Sequence, residues 1–232
     1  KTEVNMNLLG LDIGSSSVKA TLMDAESGKS ITSAFYPKQE MEIVAKKAGW
    51  AEQDPELWFE NMKKSIREVL KQSEISAGEI KAIGISYQMH GLVVVDKNKQ
   101  VLYPSIIWCD SRAVEIGNMA FSNLGSDYCL NNCLNSPGNF TASKLKWIKN
   151  TQPEIYSKIF KFMLPGDYIA MRLSDKICTT ISGLSEGIFW DFNKKDIAQD
   201  LIDYYGIDRE LIADIVPTFG QQGNLTANAA QE

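Results

Sequence analysis

LLGLDIGSSSVKATLMDAESGK, residues 8–29, decides the fold. Leu8 to Ile13 is a short apolar run with one acid, Asp12, near its end, and Val18 to Met23 is a second β-prone run. The small residues between them suit a tight connection. Asp24 to Lys29 makes a further turn, and SITSAFYP from Ser30 supplies a third strand, so a β-meander opens the chain.

Working outward, EQDPELWFENMKKSIREVLKQ places Asp54 as an N-cap and Pro55 at the first helical position. Leu57, Trp58, Met62, Ile66, Val69 and Leu70 recur at helical spacing and predict one apolar face. IKAIGISYQ and GLVVVDKNKQVLYP read as strands, with a polar turn at Asp96 to Gln100 inside the second. In the first of these Ile83 and Ile85 alternate with Gly84 and Ser86, which leaves one face small. A meander, a helix and more strand predict a mixed sheet with helices. Beyond Ser111 the pattern is mainly helical, with turns at NSPGN, LPGD and DYYGID. From Gly220 the ending has a single large apolar residue, Leu225, and reads as a frayed tail or the stub of something longer.

The 232 residues carry a net charge of -5, which weighs against gripping nucleic acid or an anionic membrane and favours small-molecule work. No apolar run approaches the ~20 residues of a membrane helix, and the N-terminus lacks a signal-peptide core, so a cytoplasmic location is expected. Cys109, Cys129, Cys133 and Cys178 form no CxxC pair, and one histidine leaves too few ligands for a zinc finger.

Two places could carry chemistry. Asp12 followed by Gly14 and Ser15 to Ser17 offers backbone N–H groups and hydroxyls to an anion, beside an acid that can hold a metal. The stretch lacks the GK[ST] ending of a Walker A loop, and a serine-rich hairpin with an ordinary turn acid uses the same residues. The second place is His90, the sole histidine, at the break in AIGISYQMHGLVVVD. A turn or core histidine is the plain alternative there.

GLDIGSSSVKATLMD resembles the phosphate-loop hairpin of the FGGY carbohydrate kinases, within the actin, sugar-kinase and chaperone superfamily. GWAEQDPELWFENM, SYQMHGLVVVD, IIWCDSRA, NSPGNFTASKLKWIK, LPGDYIAMRLS and SEGIFWDF follow in family order and resemble the xylulokinase branch. The resemblance runs from about Leu8 to Leu225. It implies an α/β, RNase H-like domain with a five-stranded mixed sheet flanked by helices. It implies that residues 1–232 are the N-terminal domain of a two-domain kinase, without its C-terminal domain.

The implied reaction is ATP-dependent phosphorylation of a pentulose, D-xylulose to its 5-phosphate, with ATP and Mg²⁺ as cofactors. Asp12 is the implied catalytic and metal-binding acid, Gly14, Ser15 and Ser16 bind phosphate, and Met89, His90, Trp108 and Phe140 line the sugar. A neutral imidazole can donate and accept toward a polyol, while methionine gives carbon an adaptable wall and an indole packs on the chain. Asp110 and Arg112 read instead as a local ion pair. The general base and adenine site are expected outside the chain, which would leave these residues alone inactive. The partner is a small sugar, with no nucleic acid or membrane, and a homodimer is an open expectation for the complete enzyme.

Tyr87, Cys109 and the pair Thr179 and Thr180 depart from the family pattern and put the sugar in question more than the reaction. A kinase of another ketose, of gluconate or of a polyol therefore stays open, although glycerol kinases carry Arg-Glu where Met89 and His90 stand. A non-catalytic sugar-binding regulatory module stays open too.

Overall fold

Along β1 (Asn7–Ile13) the side chains of Leu9, Leu11 and Ile13 are buried while Gly10 and Asp12 are exposed, the period-two pattern of a strand with one face in a core. The computed structural model describes residues 6–232. The chain divides into two compact units.

The first unit holds residues 6–43, Glu56–Gln88 and Glu232. From β1 the chain turns into β2 (Val18–Asp24) and then β3 (Ser30–Tyr36), both antiparallel to their neighbours, as the meander predicted. The turn depends on Gly14, whose amide donates to the Ser17 carbonyl at 3.1 Å. A Cβ there would stand 2.8 Å from that same oxygen, so no larger residue fits without moving the hairpin. After an excursion into the second unit that includes the two-residue β4 (Glu52–Gln53), helix α1 (Pro55–Ser73) begins at the proline the sequence singled out. Strand β5 (Ile80–Tyr87) then lies parallel to β1, completing the order β3-β2-β1-β5. Ser65 of α1 donates to the Val18 carbonyl at 2.8 Å, which lays the helix on the buried face of the sheet. Trp58, Phe59, Met62 and Val69 are buried on that side, at about 1.5–3 kcal/mol each relative to exposure. Leu57, expected on the apolar face, is exposed instead. The helix turns Phe59, Asn61 and Ser65 inward, and Asn61 fits because its amide donates to the Leu57 carbonyl at 2.8 Å.

This sheet has four strands, where five were expected. GLVVVD, also read as strand, joins not this sheet but the second unit, made of Val44–Pro55 and Met89–Gln231. There β6 (Val93–Val95) is buried on both faces. In this unit β7 (Ser105–Ile106) pairs with β4, and β6 itself pairs antiparallel with a later strand. The break comes at His90, whose φ of +59° is left-handed, and at Gly91, where a Cβ would meet Pro165 Cγ at 2.5 Å. That reversal redirects the chain.

Helices dominate the remainder: α2 (Val114–Leu124), α3 (Ser126–Asn132), α4 (Thr141–Thr151) and the short α5 (Pro153–Tyr156). Strand β8 (Lys161–Met163) is the partner of β6, and α6 (Pro165–Ser174), β9 (Cys178–Thr180) and α7 (Ile181–Glu186) come next. The hairpin of β10 (Trp190–Asp191) and β11 (Asp196–Ile197), α8 (Gln199–Tyr205) and β12 (Asp214–Val216) complete the unit, with β12 parallel to β9. Its core gathers Leu92, Val94, Ile106, Leu145, Phe162 and Leu201. The ending read as frayed contains α9 (Ala227–Gln231), anchored by the Thr226 amide on the Leu173 carbonyl at 3.0 Å. All four cysteines are free, Cys109 exposed and the others buried. No helix among the described residues is long and apolar enough to cross a membrane.

Candidate functional site

Asp12 sits one residue from the end of β1, opposite Lys19 on β2 and Ser86 on β5. Ser86 Oγ donates to Asp12 Oδ1 at 3.4 Å and to the Leu11 carbonyl at 3.3 Å. Gly10, Gly84 and Ser86 share the exposed face with it, so the carboxylate has small neighbours along β1 and on the β5 side, with Lys19 across from it on β2. Gly14 and Ser15 are half-buried and Ser16 is exposed in the hairpin that follows. Among the described residues no three His, Cys, Asp or Glu side chains cluster to bind a metal by themselves. A single exposed carboxylate still fits Mg²⁺, which keeps several waters and takes one or two protein carboxylates plus phosphate oxygens.

The second unit brings the other expected residues. Phe140 precedes α4, and its ring meets His90 edge-on, centroids 4.3 Å apart. Met89 and Trp108 are about half exposed. His90 holds its left-handed backbone, a conformation that costs a non-glycine residue about 1–2 kcal/mol, through charged contacts on both sides. Its amide donates to Glu186 Oε1, and its carbonyl accepts from Lys144 Nζ at 2.7 Å. Nδ1 of the ring lies 3.2 Å from the same Glu186 oxygen, out of line for a formed hydrogen bond.

Lys144 also donates to the Ile107 carbonyl at 2.9 Å, so one ammonium ties the loop carrying Met89 and His90 to the one carrying Trp108. It is fully buried, and burial pushes its pKa down to about 8. It was not among the expected site residues, although a lysine in step with the buried Thr141, Leu145 and Ile148 of α4 is a readable signal. Glu186, at the C-terminal end of α7, carries no such signal.

Asp110 and Arg112 form the ion pair expected of them. The Arg112 guanidinium donates to Asp110 Oδ2 from Nε at 2.9 Å and from Nη2 at 2.6 Å. Its Nη1 donates to Glu52 Oε1 at 2.8 Å. Asp110 Oδ2 also accepts the Ala51 amide at 2.6 Å, and Trp50 and Trp147 cover the guanidinium at 3.8 and 4.8 Å. Burial alone pushes the Glu52 carboxyl up, but hydrogen bonds from Lys46, Arg112 and Tyr103 outweigh it and hold the group below its ordinary value. The conspicuous GWAEQ and WCDSR stretches thus form a clamp that fixes the loop of Trp108.

A cavity of about 10 Å³ lies beneath α7, lined by Thr141, Asp167, Thr179 and Phe189 among others. Burial raises the Asp167 carboxyl to about 7 against donation from Thr179 Oγ1 at 2.9 Å. The folded state therefore binds a proton more readily than the unfolded one, whose carboxyl titrates near 3.8. Its contribution to stability is complete below that value and is lost as pH rises through about 7. Asp167→Asn keeps the oxygen that accepts from Thr179 and cannot titrate. Urea unfolding at pH 4.5 and 7.5 should show the parent losing about 3 kcal/mol relative to the variant. Parallel pH profiles would reject a buried, proton-bearing Asp167.

Residues 7–232 match the model of the FGGY family of carbohydrate kinases, N-terminal domain. The xylulose kinase of Lactococcus lactis subsp. lactis (strain IL1403) is 31% identical over 227 residues, covering 97% of this chain and 44% of that protein. The chain thus spans about half the length of the curated relatives it matches. Among solved structures, a xyloylose kinase from Brucella ovis superposes with a TM-score of 0.86 at 28% identity, covering 96% of this chain and 46% of that one. A gluconate kinase from Lactobacillus acidophilus superposes with a TM-score of 0.87 at 25% identity, covering 98% and 45%.

Proposed function

This chain belongs to the FGGY family of carbohydrate kinases, and from that premise we propose that it serves ATP-dependent phosphorylation of a pentulose, D-xylulose to D-xylulose 5-phosphate. One observation carries the choice of substrate. His90, held edge-on by Phe140 and gripped by Glu186 and Lys144, presents an imidazole beside the exposed Met89, a polar and an apolar group suited to the hydroxyls and carbons of a neutral open chain. The 31% identity to a xylulose kinase supports this reading.

In the proposed reaction the terminal sugar hydroxyl attacks the γ-phosphorus, the bond from phosphorus to the ADP oxygen breaks, and the hydroxyl proton passes to a carboxylate that is none of the residues assigned here. Asp12 would hold Mg²⁺, which when bound neutralises phosphate charge. Gly14, Ser15 and Ser16 would cradle phosphate with hairpin N–H and hydroxyl groups. Met89, His90, Trp108 and Phe140 would orient the sugar. The likeness to a gluconate kinase keeps a sugar acid as the second reading. Glu186 disfavours it, because a carboxylate facing His90 repels an anionic substrate.

His90→Ala in the complete gene product should lower kcat/KM for xylulose about 5- to 150-fold, the loss of one hydrogen bond to a buried hydroxyl, with KM for ATP near the parent value. Steady-state kinetics on xylulose, ribulose, gluconate and glycerol tests this. Variant and parent kinetics that coincide on every sugar would make His90 a structural histidine.

A further inference from the structure

Glu186 meets His90 at two points. Its Oε1 accepts the His90 amide, and the same oxygen lies 3.2 Å from Nδ1. Nδ1 is buried and makes no hydrogen bond, whereas 22% of the side-chain surface stays exposed, so the ring reaches solvent away from Nδ1. A bare Nδ1 would set its lone pair against a carboxylate at that distance, while an N–H there turns repulsion into attraction. The ring has little freedom to escape the choice, because Phe140 stands edge-on at 4.3 Å and Lys144 holds the carbonyl.

We propose that Glu186 is a positioning residue, which keeps His90 protonated at Nδ1 and so presents the Nε2 lone pair as an acceptor for a sugar hydroxyl. This rests on the reading of His90 as a sugar contact. In water a free imidazole favours the opposite tautomer, protonated at Nε2, so the arrangement requires a partner at Nδ1. Glu186 sits at the end of α7, whose Thr180 hydroxyl accepts the Gly183 amide at 3.0 Å and caps the helix, which fixes where the carboxylate stands.

The chain has one histidine, so its ring nitrogens can be read without ambiguity. With histidine labelled with ¹⁵N, long-range ¹H–¹⁵N spectra at pH 7.5 should show a pyrrole-type Nδ1 and a pyridine-type Nε2 in the parent. Glu186→Gln keeps an acceptor oxygen and should retain that pattern. Glu186→Ala should move the ring toward the Nε2–H form and raise the sugar KM of the complete gene product about 5-fold or more, with KM for ATP unchanged. An Nε2–H signal in the parent, from the other tautomer or from imidazolium, overturns the proposal, and so does a spectrum indifferent to Glu186→Ala. Adding xylulose separates the two readings: a shifted Nε2 supports both. A static Nε2 beside an intact Nδ1–H keeps the tautomer assignment and refutes the sugar contact.

Discussion

Asp12→Asn should lower kcat for the proposed sugar phosphorylation about 10²- to 10³-fold, the scale on which a preorganised charge acts at a developing transition state. The thermal midpoint should not move. The two outcomes separate because Asp12 is on the exposed face of the sheet, where an isosteric change costs little stability. Asparagine also keeps the oxygen that accepts from Ser86 Oγ. What would be lost is charge: a neutral amide would hold Mg²⁺, and through it the phosphates, less firmly than the carboxylate would. Paired measurements of kcat and thermal melting on the complete gene product check this. Equal kcat in the two proteins would reduce Asp12 to a turn acid, and a collapsed midpoint would make it structural.

The largest effect on stability belongs to Arg112. Its side chain is 1% exposed and faces the carboxylates of Glu52 and Asp110, exposed 1% and 0%. Arg112→Leu leaves both acids buried without their shared cation, a loss of about 3–5 kcal/mol. The indoles of Trp50 and Trp147 lose their cation as well. Chemical denaturation should show the full deficit in the single variant. Replacing all three charges together, Glu52→Gln, Asp110→Asn and Arg112→Leu, should recover most of it, because no buried charge then remains unpaired and Lys46, which also meets Glu52, is half exposed. A single variant within about 1 kcal/mol of the parent would mean that the clamp is solvated and worth little.

What the sequence disclosed, it disclosed through periodicity. The short apolar run Leu8–Ile13, ending on an acid before small turn residues, and the Asp-Pro start of α1 both formed the elements expected of them. Val93–Val95 has no alternation, because it is buried on both faces. A continuous apolar run does not say which sheet it joins, and the count of five strands, implied by the resemblance, was not one the residues themselves could check. The glycine-histidine break was visible as a break, but the left-handed turn that sends the chain away depends on φ at His90, which no composition encodes. The candidate site residues divide the same way. Asp12, Met89 and His90 stand at strand ends and can be picked from the sequence, whereas Lys144 and Glu186 act from helices more than fifty residues beyond the loop they hold. Such contacts belong to tertiary structure.

Lys144 has a consequence for any attempt to alter the proposed sugar preference. One ammonium serves as the common peg of two loops, so neither can be exchanged as a cassette. Transplanting residues 88–91 from a relative while leaving 107–112 and α4 in place would present the peg with a carbonyl at a different height, and its grip on the other loop would slacken too. Recombination libraries built with crossover points between Gly91 and Lys144 should therefore be enriched in folded but unselective proteins. Libraries that keep the three segments from one parent should preserve discrimination. The unit of inheritance for substrate choice is then larger than any of the motifs that mark it.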